Sequence, residues 1–254
     1  RALGATPILA DLDQPASLKR LAGIADYVLH SAPPPGQGKD DPRTRRLLAA
    51  LTRRGSLPRR LVYISTTGVY GDCGGAWLDE TRPLRPDSAR GGRRVAAEGH
   101  LRRFGSRTAC RVSVLRAPGI YDSAERLPRA RLQKGEPVLA AGDDVFTNHI
   151  HADDLARLLA LALFRGKPNR AYNATDDSQL KMGDYFDLVA DALGLPHPPR
   201  LPRSELAERL SPMTLSFMSE SRRLKNGRIK REFRTELLYP TVADALRARR
   251  DAVS

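Results

Sequence analysis

Lysine, cysteine and long apolar runs are what this sequence has least of. Only seven of its 43 basic residues are Lys, so the formal net charge of +14 rests on arginines scattered along the whole chain. No aromatic-interleaved basic patch, helix-turn-helix or zinc signature accompanies them. A source-wide preference for Arg therefore explains the charge more cheaply than a partner does; an acidic substrate or dinucleotide ranks next, and nucleic acid third. Two cysteines, Cys73 and Cys110, make neither a disulfide framework nor a metal cluster, and they fit a reducing compartment, the cytoplasm. No apolar run approaches the roughly 20 residues that span a bilayer. The longest, LARLLALALF at 155–164, is broken by Arg157 and reads as a buried helix. There is no internal repeat or low-complexity tract. The first residue is Arg rather than Met and no signal peptide precedes it, so further residues are expected upstream.

What is present is an alternation of element signals. TPILADL at 6–12 is a short apolar run ending in Asp, and DQPASLKRLAG after it reads as a short helix. ADYVLHSAPPP at 25–35 reads as a buried strand that stops at a Ser-Ala-Pro loop. DPRTRRLLAALTRRG is an amphipathic helix closed by Gly55. RLVYISTTG is a further strand, a Gly/Pro-rich loop follows, and a helix runs from about 92 to 104. CRVSVLRAPGIY is the last strand of the series, ending at Pro118-Gly119. Strand, helix, strand, helix, strand, helix, strand predicts an α/β fold, a doubly wound parallel sheet of Rossmann type with helices on both faces. Ligands of such sheets bind at the carboxyl ends of the strands, which here are Asp11, Ser31 to Pro33, Ser65 to Gly68 and Pro118 to Tyr121. Past residue 122 the pattern becomes more mixed. The expected organisation is therefore a sheet domain over 1–122 and a smaller substrate region over 123–254, some of whose segments return to the sheet.

These motifs, in this order, resemble the extended short-chain dehydrogenases/reductases, the NAD(P)-dependent epimerase/dehydratase group. The resemblance rests on ADL at 10–12, VLHSAPP, ISTTGVYGD (against SSxxVYG), LRAPGIYD (against LRxxxIYG), NHIHADDLARLLALAL and the tail SRRLKNGRIKREFRTELLYPTVADAL. It implies NAD or NADP as cofactor, with Asp11 and Leu12 on the adenine. Ser31, Ala32 and Pro33 would lie beside a ribose, with Ser65, Pro118 and Gly119 also on the cofactor. Thr66, four residues before Tyr70, stands where the family's Ser/Thr meets the substrate oxygen. Tyr121, Asp122 and Asn148 are candidate pocket residues. The implied partner is a small, polar, nucleotide-sugar-like substrate, with a homodimer as the implied assembly.

Two departures bear on function. The family's glycine-rich turn, which holds a pyrophosphate on backbone N–H groups and a helix N-terminus, does not occur in these residues; TPILADL resembles the family's third strand, so at least one βαβ unit is expected before it. Second, counting back from Glu98 puts Arg94 at the family's catalytic Lys and Arg90 at its catalytic Tyr. A guanidinium stays protonated and cannot act as an acid/base, though Arg94 can hold ribose hydroxyls or a phosphate as a fixed cation. The implied activity is an NAD(P)-dependent oxidoreductase-like one, and the alternative is a non-catalytic NAD(P)-binding sensor or scaffold. Plainer readings stand beside each site. Arg90 and Arg94 are also one turn of a solvated helix face, and Thr66 a strand-end cap. Tyr70 reads better as packing than as a proton donor. Asp153 and Asp154 read as caps of the helix that begins there. His149 and His151, two apart, are expected on opposite faces of a strand and so make a poor metal pair. His100 and Cys110 show no partner in the sequence.

Overall fold

The computed structural model describes residues 4–122 and 126–251. Its frame is a parallel sheet of four strands, β1 (Tyr27–His30), β2 (Arg60–Thr66), β4 (Arg111–Ala117) and β8 (Arg170–Asn173), paired in that order. In chain order the other elements are α1 (Pro42–Leu51), β3 (Trp77–Leu78), α2 (Ala89–Arg107), β5 (Gly119–Tyr121), α3 (Arg129–Gln133), β6 (Val138–Leu139), β7 (His149–His151) and α4 (Ala152–Arg165). Then come α5 (Met182–Leu193), β9 (Arg200–Leu201), α6 (Arg203–Arg209), α7 (Pro212–Phe217), β10 (Arg223–Leu224), α8 (Gly227–Phe233) and α9 (Val242–Asp251).

Side chains alternate across a strand, and the apolar residues of β2 and β4 sort accordingly. Leu61 and Tyr63, with Val112 and Val114, pack against Leu47, Leu48 and Leu51 of α1 and Ala97 and Leu101 of α2. Val62 and Leu115 pack on the other face against Leu158 and Ala162 of α4 and Ile229 and Phe233 of α8. Helices thus cover both faces, as the alternation predicts. A third apolar cluster joins Tyr121, Leu139 and Val145 to Tyr185, Phe186 and Val189 of α5 and to Val242 and Leu246 of α9.

Local chemistry sets the ends of the helices. Asp41 caps α1, its carboxylate accepting from Arg43 N and Thr44 N, and Gly55 past the end takes φ +72°. Ser88 caps α2, its hydroxyl accepting from Gly91 N, so the helix begins at Ala89 rather than near 92.

Three further expectations are corrected. Residues 6–12 form no strand and Leu9 is 93 % exposed; β1 is the edge strand of the sheet and pairs with β2 alone. The expected helix after Asp13 is a 3-10 turn, Pro15–Leu21. The last strand of the series does end at Pro118, as expected: Pro118 has no N–H to give the ladder, and β5 beyond it pairs with β7. His149 and His151 do not lie on opposite faces of their strand. Residues two apart share a face, and both imidazoles approach the same Tyr121 ring edge-on, at 6.3 and 5.3 Å between centroids.

No helix among the described residues is long and apolar enough to cross a membrane.

Candidate functional site

At the carboxyl end of β2 the Thr66 hydroxyl accepts from Gly68 N at 3.3 Å and starts a single 3-10 turn, Thr67–Tyr70. Helix α2 is set hard against this turn. An added Cβ on Gly91 would come within 2.7 Å of Gly68 O and 2.8 Å of Pro86 Cβ. Between the turn, the Pro118–Gly119 break, the stretch 146–149, the start of α5 and the tail at 216–222 lies a cleft of about 270 Å³.

Thr66, Arg90, Pro118, Gly119 and Asn148 line this cleft together. They come from β2, α2, the end of β4 and the approach to β7, so the fold gathers five of the candidate residues into one place. Asn148, however, is occupied: its Nδ2 donates to Arg222 O (3.0 Å) and its Oδ1 accepts from Leu224 N (3.1 Å), which clamps the tail to the cleft wall.

The remaining candidates sit elsewhere. Arg94 is bound into the sheet, its Nη1 donating to Tyr63 Oη at 2.8 Å and Ile64 O at 2.7 Å. Burial pushes the Tyr63 phenol up to about 12, with Arg94 working the other way. Ser65 is buried and its hydroxyl donates to Glu98 Oε1 at 2.7 Å. Tyr121 is buried too, its hydroxyl 3.5 Å from Asp176 Oδ2. Asp122 accepts from Arg126 N at 3.2 Å. Asp11 accepts from Asp13 N in an exposed turn, and Leu12 O accepts from Arg46. Ser31 and Pro33 are exposed and Ala32 is half-buried; Pro33 O accepts from Arg43 at 3.1 Å.

A buried polar network ties these elements together. Glu98 accepts from Arg116 Nε and Nη2 at 3.1 and 2.7 Å, and both side chains are 1 % exposed. Arg116 Nη1 donates to Tyr70 Oη, and that hydroxyl donates on to Asn173 Oδ1 at 2.7 Å. Tyr70 is thereby committed to the interior, and burial raises its phenol to about 12. At the start of α4 the cap is His151 Nδ1, which accepts from Asp153 N at 3.2 Å. Asp154 turns instead to the tail, accepting from Leu238 N and Tyr239 N. His100 has a partner after all, with Nε2 2.6 Å from Asp40.

Sequence reasoning missed Phe146, Thr147, Met182, Tyr185, Phe186, Ser216, Glu220 and Arg222 as cleft residues, and weighed His149 only as a metal ligand. A His two residues from another His marks a strand, and nothing local shows that α5 and the tail fold over it. Among the described residues no group of three or more metal-ligating side chains comes together.

A doubly wound parallel sheet with a cleft at its carboxyl edge, opposite a second apolar cluster, defines a Rossmann-type α/β protein. A model of the NAD dependent epimerase/dehydratase family matches residues 5–175, and the chain belongs to that family. A functionally unknown conserved protein from Silicibacter pomeroyi DSS is 33 % identical, with TM-score 0.78, over 99 % of this chain and 82 % of that one. MoeE5, solved with UDP-glucose and NAD, is 22 % identical with TM-score 0.73, over 97 % of this chain and 86 % of that one. The UDP-glucose 4-epimerase of Thermotoga maritima, solved with UDP-glucose, is 18 % identical with TM-score 0.72, over 96 % and 84 %. No curated protein is significantly similar to the chain.

Proposed function

We propose that this protein is an NAD(P)-dependent oxidoreductase-like member of its family that takes a nucleotide-sugar-like or other small polar substrate into the cleft at the ends of β2 and β4. The observation that carries the reading is the meeting of Thr66, Pro118 and Gly119 in one cleft. Three small side chains leave an open floor there; even a Cβ added to Gly119 would reach only ordinary contact with Asn148 O, at 3.5 Å. These residues fit the nicotinamide end of the dinucleotide, which when bound supplies a hydride acceptor or donor. Arg94 is pinned outside the cleft lining by Tyr63 and Ile64, so in this reading it positions the strand end rather than touching the nucleotide. The Thr66 hydroxyl orients the reacting oxygen, and neither Arg90 nor Arg94 moves a proton.

Titration of the full chain with NAD+ and NADP+, each followed by a panel of nucleotide-sugars, tests this. Saturable binding of one nucleotide and turnover of a panel member are expected. Thr66→Val should lower turnover roughly 100-fold. No binding of either nucleotide sinks the reading. The commitment of Arg94 to the sheet favours a second one, a non-catalytic NAD(P)-binding sensor or scaffold, which binds the nucleotide and shows no turnover with any substrate.

A further inference from the structure

The cleft holds one imidazole and one phenol, and both are short of partners. His149 is buried and its Nδ1 has no hydrogen-bond partner among the described residues. Its ring lies on Tyr185, with centroids 4.2 Å apart and planes at 24°. The Nε2 atom has only a long contact, 3.5 Å to Thr147 Oγ1, and the neighbouring Cδ2 edge faces Gly119 of the cleft floor. Tyr185 is 8 % exposed and lines the same cleft, and no hydrogen bond ties its hydroxyl to another described residue.

Other polar groups in the cleft are partly engaged. Asn148 clamps the tail; the Thr66 oxygen caps its turn and keeps its O–H to give; and Arg222 Nη1 donates to Glu220 and Gly71 O while its Nε has no partner among the described residues. Buried polar groups in native proteins almost always find partners. His149 Nδ1 stays shut in, but Nε2, with only a long contact, and the Tyr185 hydroxyl belong to residues that line the cleft, where a ligand can supply the missing partner.

We propose that the stacked His149–Tyr185 pair is the ligand-contact centre of this cleft, meeting a hydroxyl or carbonyl oxygen of the bound small molecule. The inference rests on reading the cleft as a small-molecule site. An orphaned buried N–H is rarer than an under-satisfied acceptor, so the imidazole carries its proton on Nε2, at the cleft edge, and leaves a lone pair on Nδ1. Burial holds His149 down to about 3, which keeps it neutral. A neutral N–H and a phenol O–H suit an oxygen that accepts one bond or gives one back. A carboxylate or phosphate would be met by the cleft's cations, Arg90 and Arg222, rather than by this neutral pair. Met182 and Phe186 add an apolar wall for the carbon skeleton.

The test is nuclear magnetic resonance of the full chain, labelled with 15N-His, 13Cζ-Tyr and backbone 15N, during titration with hydroxyacetone, which carries both a hydroxyl and a carbonyl. His149 Nε2 and Tyr185 Cζ are expected to shift saturably, with His149 in the Nε2–H tautomer. Tyr185→Phe should raise the apparent Kd at least threefold. His149→Phe keeps the stack and removes the unpaired Nδ1, so it should melt at or above the wild-type temperature while the Thr147 amide loses its response. Shifts at the Thr66 and Thr147 amides with His149 and Tyr185 still overturn this inference and leave the reading of the cleft intact. A silent cleft overturns both. His149→Phe that melts lower and responds as before makes the pair purely structural and also overturns the inference.

Discussion

Glu98 and Arg116 show how a residue seen first as a family landmark acquires a physical task. Glu98 serves in the sequence as the mark from which Arg94 and Arg90 are counted. In the fold it is the anion that neutralises a guanidinium 1 % exposed, and it also accepts the hydrogen bond of the Ser65 hydroxyl. Removing one partner of a buried pair leaves the other charge without compensation. Glu98→Gln is expected to cost about 3–5 kcal/mol, read from urea unfolding; a loss below about 1 kcal/mol would show that water already reaches the pair. Arg94 makes a related point. Its position next to the strand is legible from spacing, but its bonds to Tyr63 Oη and Ile64 O are not, because the sheet and the helix must first pack.

At the scale of elements, the strands and helices of the first half are mostly legible. β2 and β4 announce themselves by apolar alternation, α1 by its Asp41 cap and Pro42 start, and the break at Pro118 by the missing N–H. The failure at 6–12 is one of pairing: an apolar run becomes a strand only where its backbone joins a ladder, and this run does not join the open edge of β1. Close packing of α2 on the Thr67–Tyr70 turn is invisible in sequence, since Gly91 looks like an ordinary weak helix residue. Gly91→Ala puts a methyl group 2.7 Å from Gly68 O, and the helix must retreat. Overpacking of this kind costs about 1–3 kcal/mol. The variant is expected to melt lower and to bind hydroxyacetone more weakly, because the cleft wall moves with the helix; wild-type values in both would show that the turn gives way freely.

Three buried groups govern how the whole molecule responds to pH. Burial holds His149 down to about 3 and His30 down to about 4, against an ordinary 6.5. Burial raises the Asp176 carboxyl to about 8 from an ordinary 3.8. Between about pH 4 and 6.5 the unfolded chain takes up protons on two imidazoles that the native state leaves bare, so stability rises with pH. Over the same range Asp176 holds a proton that the unfolded chain has lost, and it opposes one of the two. Above 6.5 Asp176 is the one of the three that remains, with a lesser contribution from exposed His197, which its bond to Asp191 holds above the ordinary 6.5, and stability falls until pH passes about 8. Urea midpoints should therefore peak near pH 6.5, with each buried group worth at most about 1.4 kcal/mol per pH unit. Asp176→Asn should remove most of the falling limb and keep the rising one. A variant that still falls as the wild type does assigns the limb to another group.

By itself the sequence determined the period of β2 and β4, the order of motifs and the absence of a proton-moving side chain at positions 90 and 94, because each depends on residue types a few positions apart. Only the tertiary structure decided that Asn148 holds the tail, that Tyr70 faces inward and that His149 lies on Tyr185 at the edge of the cleft. Those contacts join segments 36 to 103 residues apart, and which groups meet across such gaps is settled by how the layers pack, not by any pattern along the chain.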